Sequence, residues 1–279
     1  MNIAHFKLRD GRKLAYRQYG IINGEPVFYF HGAPSSSAEA AMIDQELLTK
    51  HKVCIIAPDR PGCGGSDPQR NRTFSDWADD VQELADHLNL NKFSVIGNSC
   101  GGAYVAACCL RLEHQIKAAV ILAGAWRMDH PVSRKHLTFP YSTFWSSVKN
   151  APIFLPGIIS SIYYSIPVTH SLMPYPDNKV LRNGRLKGFK DGVSGAMKNK
   201  FAASWDLMMY TRKFDFSVES VKFPILLLHG ERDKNVPVEL VRFISGKLIN
   251  STLITFKSEA HFSILANQFE KALLHIKSS

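Results

Sequence analysis

Hydrophobic and polar positions alternate near the amino terminus, and short, mainly apolar runs replace this pattern further along the chain. Residues 3–8 and 13–19 alternate around Asp10-Gly11, which is typical of a β-hairpin. We interpret the later runs as strands buried on both faces. They cover residues 27–30, 53–57, 93–96, 118–123, 224–228 and 252–256.

Helical periodicity separates several of these runs. Residues 74–88 carry apolar side chains at helical spacing, and Thr73 or Ser75 can cap the start of this helix. Residues 102–110 are apolar and mostly small, and residues 262–276 again have helical spacing. Strands that alternate with helices predict an α/β fold with a mostly parallel central sheet and right-handed crossovers.

The alternation stops between residues 126 and 221. This block is rich in aromatic residues and proline and shows only short helical patches. We therefore predict an α/β core formed by residues 1–125 and 222–279, interrupted by an insertion at 126–221.

Composition narrows the class of protein. The chain has 279 residues, of which 45% are hydrophobic and 21% are charged, enough for one large core or for a core with an inserted subdomain. Its five cysteines are an odd number, and Cys108 and Cys109 are adjacent in an apolar helix, so we interpret them as buried small hydrophobes. No zinc-ligand spacing, signal-peptide pattern or membrane-length apolar run is present. We expect no metal and a reducing, cytoplasmic setting.

The net charge of +10 changes this picture little. It indicates a solvated basic surface, and without a run of Lys and Arg it does not favour nucleic-acid binding. The apolar residues 153–168, together with the positive charge, suggest docking on an anionic membrane as an alternative. Pro156 interrupts any long helix there, so packing within the insertion is the favoured interpretation.

Gly97-Asn98-Ser99-Cys100-Gly101 fits the pattern G-x-S-x-G between a predicted strand and a predicted helix. Such a turn is so tight that the residues two before and two after the nucleophile must be small. It would place the Ser99 hydroxyl at a helix N-terminus, where backbone N–H groups favour negative charge. Cys100 is a rival nucleophile, but a turn centred on it would place Asn98 where glycine is needed.

A serine hydroxyl needs a base that is itself oriented by a carboxylate. The order expected on this fold is Ser, then Asp or Glu, then His, which Ser99, Asp233 and His261 satisfy. Each follows a predicted strand, and parallel sheets bind ligands beyond the carboxyl ends of their strands. The rival acids are Glu231, Asp129 and Glu259.

An oxyanion hole needs two backbone donors. We predict the N–H of Cys100 as one donor. The other should come from His31-Gly32-Ala33-Pro34, and Ala33 is our choice because Pro34 has no N–H. We interpret the His31 side chain as packed rather than catalytic.

These motifs together resemble the α/β-hydrolase superfamily over nearly the whole chain. The matching segments are His31 to Pro34, Asp59 to Ser66, Gly97 to Gly101, Gly230 to Asp233 with Val236-Pro237, and His261. The resemblance implies that Asp59 to Ser66 is a structural turn, and that a helical cap lies between the sixth and seventh strands. Serine as nucleophile disfavours haloalkane dehalogenase and epoxide hydrolase chemistry. His-Gly-Ala-Pro departs from the corresponding motifs of many lipases and of proline iminopeptidases, which leaves the subfamily open.

The leading hypothesis is a serine hydrolase that cleaves carboxylic esters of small to medium apolar substrates through an acyl-enzyme, without metal or cofactor. Thioesters and amides, as in a peptidase or amidase, remain alternatives. So do a membrane-surface lipase and a non-enzymatic small-molecule receptor on the same fold.

Overall fold

A central eight-stranded sheet organises the protein, in a computed structural model that describes residues 2–150 and 173–279. The apolar segment 153–168 lies outside the described residues. In chain order the strands are β1 (Ala4–Lys7), β2 (Lys13–Gly20), β3 (Glu25–Phe30), β4 (Val53–Pro58), β5 (Phe93–Asn98), β6 (Ile116–Leu122), β7 (Ile225–Gly230) and β8 (Ser251–Phe256).

The strand order across the sheet is β1-β2-β4-β3-β5-β6-β7-β8. β1 and β2 form the predicted antiparallel hairpin, and β2 also pairs antiparallel with β4. All other neighbours are parallel. The mostly parallel sheet is therefore confirmed, and the carboxyl ends of β3 to β8 meet at one edge.

Helices cover both faces of the sheet. They are α1 (Gln45–Lys50), α2 (Phe74–His87), α3 (Gly101–Arg111), α4 (Pro131–His136), α5 (Tyr141–Asn150), α6 (Tyr175–Val180), α7 (Leu186–Met197), α8 (Lys200–Met209), α9 (Val238–Ser245) and α10 (Ser263–Ser278). Thr73 caps α2 through a capping box with Asp76, which decides between the two caps suggested by the sequence. The sequence patterns did not indicate α1 or α9.

The apolar runs of the strands are explained by burial on both faces. Phe28 and Phe30 of β3 pack in the cluster that contains Trp77 of α2. Val27 and Tyr29 of the same strand pack in the opposite cluster, together with Phe269 of α10. Because alternate side chains of a strand point to opposite faces, such a strand is apolar at every position.

Between β6 and β7 the described chain is helical, from α4 to α8. Helix α7 approaches the 3₁₀ helix Ser37–Met42 closely, because three glycines lie on one of its faces. A Cβ on Gly192 would stand 2.5 Å from Ser35 Oγ, and one on Gly188 would stand 3.0 Å from the Met42 nitrogen. This part of the 126–221 block thus packs directly on the core, beside the loop that follows β3.

Candidate active site

Ser99 lies at the sharp turn between β5 and α3. Its backbone has φ 53°, in the left-handed region that costs a residue with a side chain free energy. The flanking glycines make the turn sterically feasible: a Cβ on Gly97 would stand 2.5 Å from the Gly101 carbonyl oxygen, and one on Gly101 would overlap the Phe30 carbonyl. The local structure is the strand–turn–helix that the G-x-S-x-G pattern predicts.

The structure brings Ser99, His261 and Asp233 together. His261 Nε2 is 2.9 Å from Ser99 Oγ, and His261 Nδ1 is 2.7 Å from Asp233 Oδ2. These three residues follow β5, β8 and β7 respectively, and all are buried. Each distance is short enough for a hydrogen bond, so a proton could pass from Oγ to Nε2 while Nδ1–H stays bonded to the carboxylate.

The surroundings of His261 favour its charged form more than water does. Burial lowers the pKa of His261, but the Asp233 carboxylate, together with the charges of Asp177 and Glu39, outweighs burial and leaves this pKa above its ordinary value. The second carboxylate oxygen of Asp233 accepts the N–H groups of Asn235 (2.8 Å) and Val236 (2.9 Å). Asp233 is therefore fixed by its own loop, with one oxygen left to orient the imidazole.

The rival residues lie in other environments. Burial raises the pKa of the Cys100 thiol, which keeps it protonated and poorly nucleophilic. The three rival acids bind elsewhere: Glu231 accepts from Thr255 (2.8 Å), Asp129 pairs with Arg127 (2.8 Å), and Glu259 accepts from Asn267 (3.0 Å).

The loop after β3 is held in place by a buried glutamate. Glu39 accepts the Gly32 N–H at 3.0 Å through Oε1, which also accepts the Tyr29 hydroxyl at 2.7 Å. The Gly32 N–H is therefore engaged by Glu39 and is not free to bind an oxyanion. The N–H groups of Ala33 and Cys100 donate to no group within residues 2–150 and 173–279, which suits the oxyanion role predicted for them.

His31 is wholly buried and packed, as its interpretation from sequence requires. Its Nδ1 lies 2.8 Å from the Gly32 carbonyl oxygen, and its Nε2 accepts the Arg60 N–H. Burial lowers the pKa of His31 well below its ordinary value, so this side chain is neutral.

A buried ion network connects the same loop to helix α8. The Arg60 guanidinium donates to the carbonyl oxygens of both His31 and Gly32 and binds Asp206 of α8 at 2.6 Å. Asp206 also binds Arg72 at 2.5 Å and accepts the Tyr104 hydroxyl at 2.7 Å. Although burial raises the pKa of Asp206, the two guanidinium groups dominate and hold it below its ordinary value.

Asp177 of α6 supports the His261 loop, a contact that no sequence pattern indicated. Its carboxylate accepts the backbone N–H groups of His261 (3.2 Å), Phe262 (2.8 Å) and Ser263 (2.8 Å). It thereby caps α10 from 86 residues away in sequence. A carboxylate from the inserted block thus fixes the backbone that carries the imidazole.

A cavity of about 40 Å³ lies beside Ser99. Its walls include aromatic side chains from the inserted block and a polar stretch on the side of the β3 loop. The aromatic lining comprises Tyr141, Phe144, Trp145 and Phe189, and the polar lining includes Glu39 and Asn98. A water molecule needs ~10–15 Å³ of such space, so this cavity has room for a small group.

Among residues 2–150 and 173–279, no helix is both long and apolar enough to cross a bilayer. In the same ranges, no three His, Cys, Asp or Glu side chains are grouped so as to hold a metal ion.

Comparisons with known proteins agree with this architecture. A family model described as "alpha/beta hydrolase fold" matches residues 25–268. The chain is 26% identical over 264 residues to a bifunctional esterase/perhydrolase of Acinetobacter calcoaceticus, covering 91% of each protein. It is 27% identical over 259 residues to a non-heme chloroperoxidase of Streptomyces lividans, covering 90% of each. Among solved structures, a bromoperoxidase from Bacillus anthracis shares the fold, with TM-score 0.74, 22% identity and full coverage of both chains.

Proposed function

Since the chain belongs to the α/β-hydrolase family, we propose that it is a serine hydrolase that cleaves carboxylic esters with small, largely apolar acyl groups. The observation that carries this proposal is the unbroken hydrogen-bonded series Ser99, His261, Asp233 beside a cavity. The name of the Acinetobacter relative, which includes esterase activity, supports the reaction class.

The proposed mechanism has two half-reactions. Ser99 Oγ attacks the ester carbonyl while His261 Nε2 takes its proton, and the carbonyl oxygen becomes an oxyanion bound by the N–H groups of Ala33 and Cys100. His261 then protonates the departing alcohol, which leaves an acyl group on Ser99. In the second half-reaction, His261 deprotonates a water molecule that attacks the acyl carbonyl and releases the carboxylic acid.

The role of the acid follows from the tautomer that attack requires. His261 accepts the Ser99 proton only if its own proton is on Nδ1, and the Asp233 oxygen 2.7 Å away holds that proton there. The same carboxylate stabilises the imidazolium that forms during attack. We expect Asp233→Asn to lower kcat by ~10⁴, because an amide NH₂ at this position favours the wrong tautomer.

The insertion at 126–221 is proposed to act as a cap over Ser99. Tyr141 and Trp145 from this block are largely buried beside the cavity. A cavity of about 40 Å³ favours the small end of the acyl range predicted from sequence. Each buried methylene contributes about 0.8 kcal/mol until the space is filled, so kcat/KM should rise over the first few acyl carbons and then fall.

Turnover of nitrophenyl esters from acetate to octanoate tests this proposal. We expect a maximum at a short acyl chain and loss of activity in Ser99→Ala. Residual activity within tenfold of the parent in this variant would exclude Ser99 as nucleophile. A stoichiometric fluorophosphonate label on the peptide containing Ser99 separates an activated serine from a receptor that only binds ligand.

Peracid formation is a second candidate, which the esterase/perhydrolase relative specifically favours. Hydrogen peroxide in place of water would attack the acyl carbonyl, and the products would be a peracid and free Ser99. Incubation with ethyl acetate and hydrogen peroxide, followed by a peracid assay, tests this reaction. Formation of acetate alone, with no peracid above the uncatalysed rate, would exclude it.

A further inference from the structure

One wall of the cavity beside Ser99 carries polar groups that the proposed mechanism does not use. They are the carboxylate of Glu39 and the side chain of Asn98, the residue immediately before the nucleophile. Glu39 is only 6% exposed and Asn98 only 2% exposed. Polar groups this deeply buried normally have their hydrogen-bonding capacity filled, so any unfilled capacity here needs an explanation.

The carboxylate of Glu39 has neutral partners only. Its Oε1 accepts the Tyr29 hydroxyl, the Gly32 N–H and the Asn98 amide, whereas Oε2 shares only the Gly32 N–H, at 3.1 Å. Within residues 2–150 and 173–279, no Lys, Arg or His lies within 4.0 Å of this carboxylate. A buried carboxylate is costly without a cation or further donors, and Oε2 has capacity for both.

Asn98 has an unfilled acceptor of its own. Its Nδ2 donates to Glu39 Oε1 at 3.1 Å, which fixes the orientation of the amide, because the reverse orientation would set oxygen against carboxylate. The other atom of the amide, Oδ1, is buried and has no hydrogen-bond partner in the described part of the chain. Glu39 and Asn98 both line the small cavity, and each carries an acceptor with spare capacity.

The position of Gly32 shows how near these groups are to the nucleophile. A Cβ built on Gly32 would stand 3.2 Å from Glu39 Oε2, 3.3 Å from Ser99 Cβ and 3.8 Å from Asn98 Nδ2. The carboxylate, the amide and the nucleophile therefore lie close together around Gly32, and all three residues line the same cavity. An acyl group on Ser99 Oγ carries its α-substituent three bonds from that oxygen, which is within reach of the cavity wall that these groups form.

From these contacts we infer that Glu39 and Asn98 form a subsite for a hydrogen-bond donor on the α-carbon of the acyl group, with ammonium preferred over hydroxyl. The inference rests on the proposed ester hydrolysis and names its substrate class: esters of small α-amino or α-hydroxy acids. The aromatic walls of the cavity would hold the apolar remainder of the acyl group, as in most small-ligand sites, where a few polar groups set the orientation.

Three acyl groups of the same shape test the subsite: isobutyryl, lactoyl and alanyl, which present methyl, hydroxyl and ammonium at one position. Ethyl esters are compared by kcat/KM, each divided by its rate constant for hydroxide hydrolysis to remove intrinsic reactivity. We expect alanyl to exceed isobutyryl at least tenfold, with lactoyl between them. Equal normalised values for the three esters would overturn the inference while leaving the esterase proposal intact.

Glu39→Gln keeps the size of the side chain and removes its charge. Because Glu39 also holds the loop after β3, overall activity should fall, so the readout is the ratio of alanyl to isobutyryl turnover, which we expect to drop at least fivefold. Glu259→Gln is the matched control, since Glu259 is equally buried but accepts from Asn267 and Gln268 away from the cavity. If Glu39→Gln leaves this ratio unchanged, any preference for alanyl arises from other groups, and Glu39 does not form the subsite. Asn98→Ala provides a second variant, with a smaller expected drop, should Glu39→Gln not fold.

Binding without turnover separates the subsite from the reaction. In Ser99→Ala, calorimetry at neutral pH should show tighter binding of ethyl alaninate than of ethyl isobutyrate, and addition of Glu39→Gln should remove the difference. If ethyl alaninate binds no more tightly, the two acceptors serve a bound water only and the subsite is refuted. If it binds more tightly but the parent hydrolyses no ester, the subsite stands and the esterase proposal fails.

Discussion

Asp177→Asn tests how the inserted block influences His261, the proposed general base. The Asp177 side chain is 1% exposed, and its three backbone donors belong to His261, Phe262 and Ser263. Burial raises the pKa of Asp177 to about 6, although the N–H groups of Ser263 and Phe262 and the charge of His261 lower it. The other charged group acting on it, the Asp233 carboxylate, raises it further.

The sign of the pH effect follows from that pKa. Between about pH 4 and 6 the folded protein keeps a proton on Asp177 that the unfolded chain has released, so ionisation of this group lowers the free energy of unfolding as pH rises. A rise of about two pKa units corresponds to ~3 kcal/mol by pH 7. Asp177→Asn removes this titration. The free energy of unfolding of the variant minus that of the parent should therefore increase by ~2–2.5 kcal/mol from pH 4 to pH 7.

Urea unfolding at four pH values between 4 and 7 measures this difference. Activity gives an independent readout, because the Asp177 charge raises the pKa of His261 and its loss should move the acid limb of kcat/KM to lower pH. Asp215→Asn is the control: Asp215 bonds the N–H groups of Phe74 and Ser75 at the start of α2, but it is exposed. A pH-independent stability difference for Asp177→Asn, or an acid limb that moves upward, would refute the reasoning.

Three further outcomes are expected. Asp206→Ala leaves two buried guanidinium groups without their counter-ion and should lower the free energy of unfolding by ~3–5 kcal/mol in urea; a loss below 1 kcal/mol would contradict this. Gly195→Ala places a Cβ against Ser36 and should lower both Tm and ester turnover, whereas Gly246→Ala, whose Cβ meets its nearest atom at 3.5 Å, should leave both near the parent values. In the parent, the acid limb of kcat/KM should lie above the ordinary histidine pKa, because that of His261 is raised; a limb below it would exclude this assignment.

The sheet and the chain order of Ser99, Asp233 and His261 could be predicted because both depend on local patterns. Continuous apolar runs reflect burial on both faces of a parallel sheet, and the glycines around Ser99 reflect one turn whose geometry admits little else. Asp233 and His261 could be placed because parallel strands end at one edge. In each case the sequence pattern is adjacent to the residue that it identifies, and the structure brings these residues together.

The contacts from the inserted block could not be predicted, for a physical reason. Asp177 and Asp206 have no local signature, since their partners are backbone groups or side chains more than 80 residues away. Glu39 resembles a surface residue of a short polar segment until the fold places Tyr29 and Gly32 against it. The glycines of α7 lower its helix propensity. The structural reason for them is the close approach of the 3₁₀ helix Ser37–Met42, which the sequence does not show. A buried charge is visible in a sequence only through its partner, and the partners of Asp177 and Asp206 are remote.

These remote contacts share one feature. Each of them supports a different part of the candidate site. Asp177 holds the His261 backbone, Asp206 holds Arg60 and through it the carbonyls of the β3 loop, and α7 packs on the helix that carries Glu39. Moving α6 to α8 away from the core as one body would remove three acceptor contacts from the His261 loop and would leave buried guanidinium groups unpaired, at a cost of several kcal/mol. Helices α6 to α8 therefore form part of the framework of the candidate site, rather than a cover that opens and closes over a finished site. Substitutions in them should alter kcat as well as substrate choice.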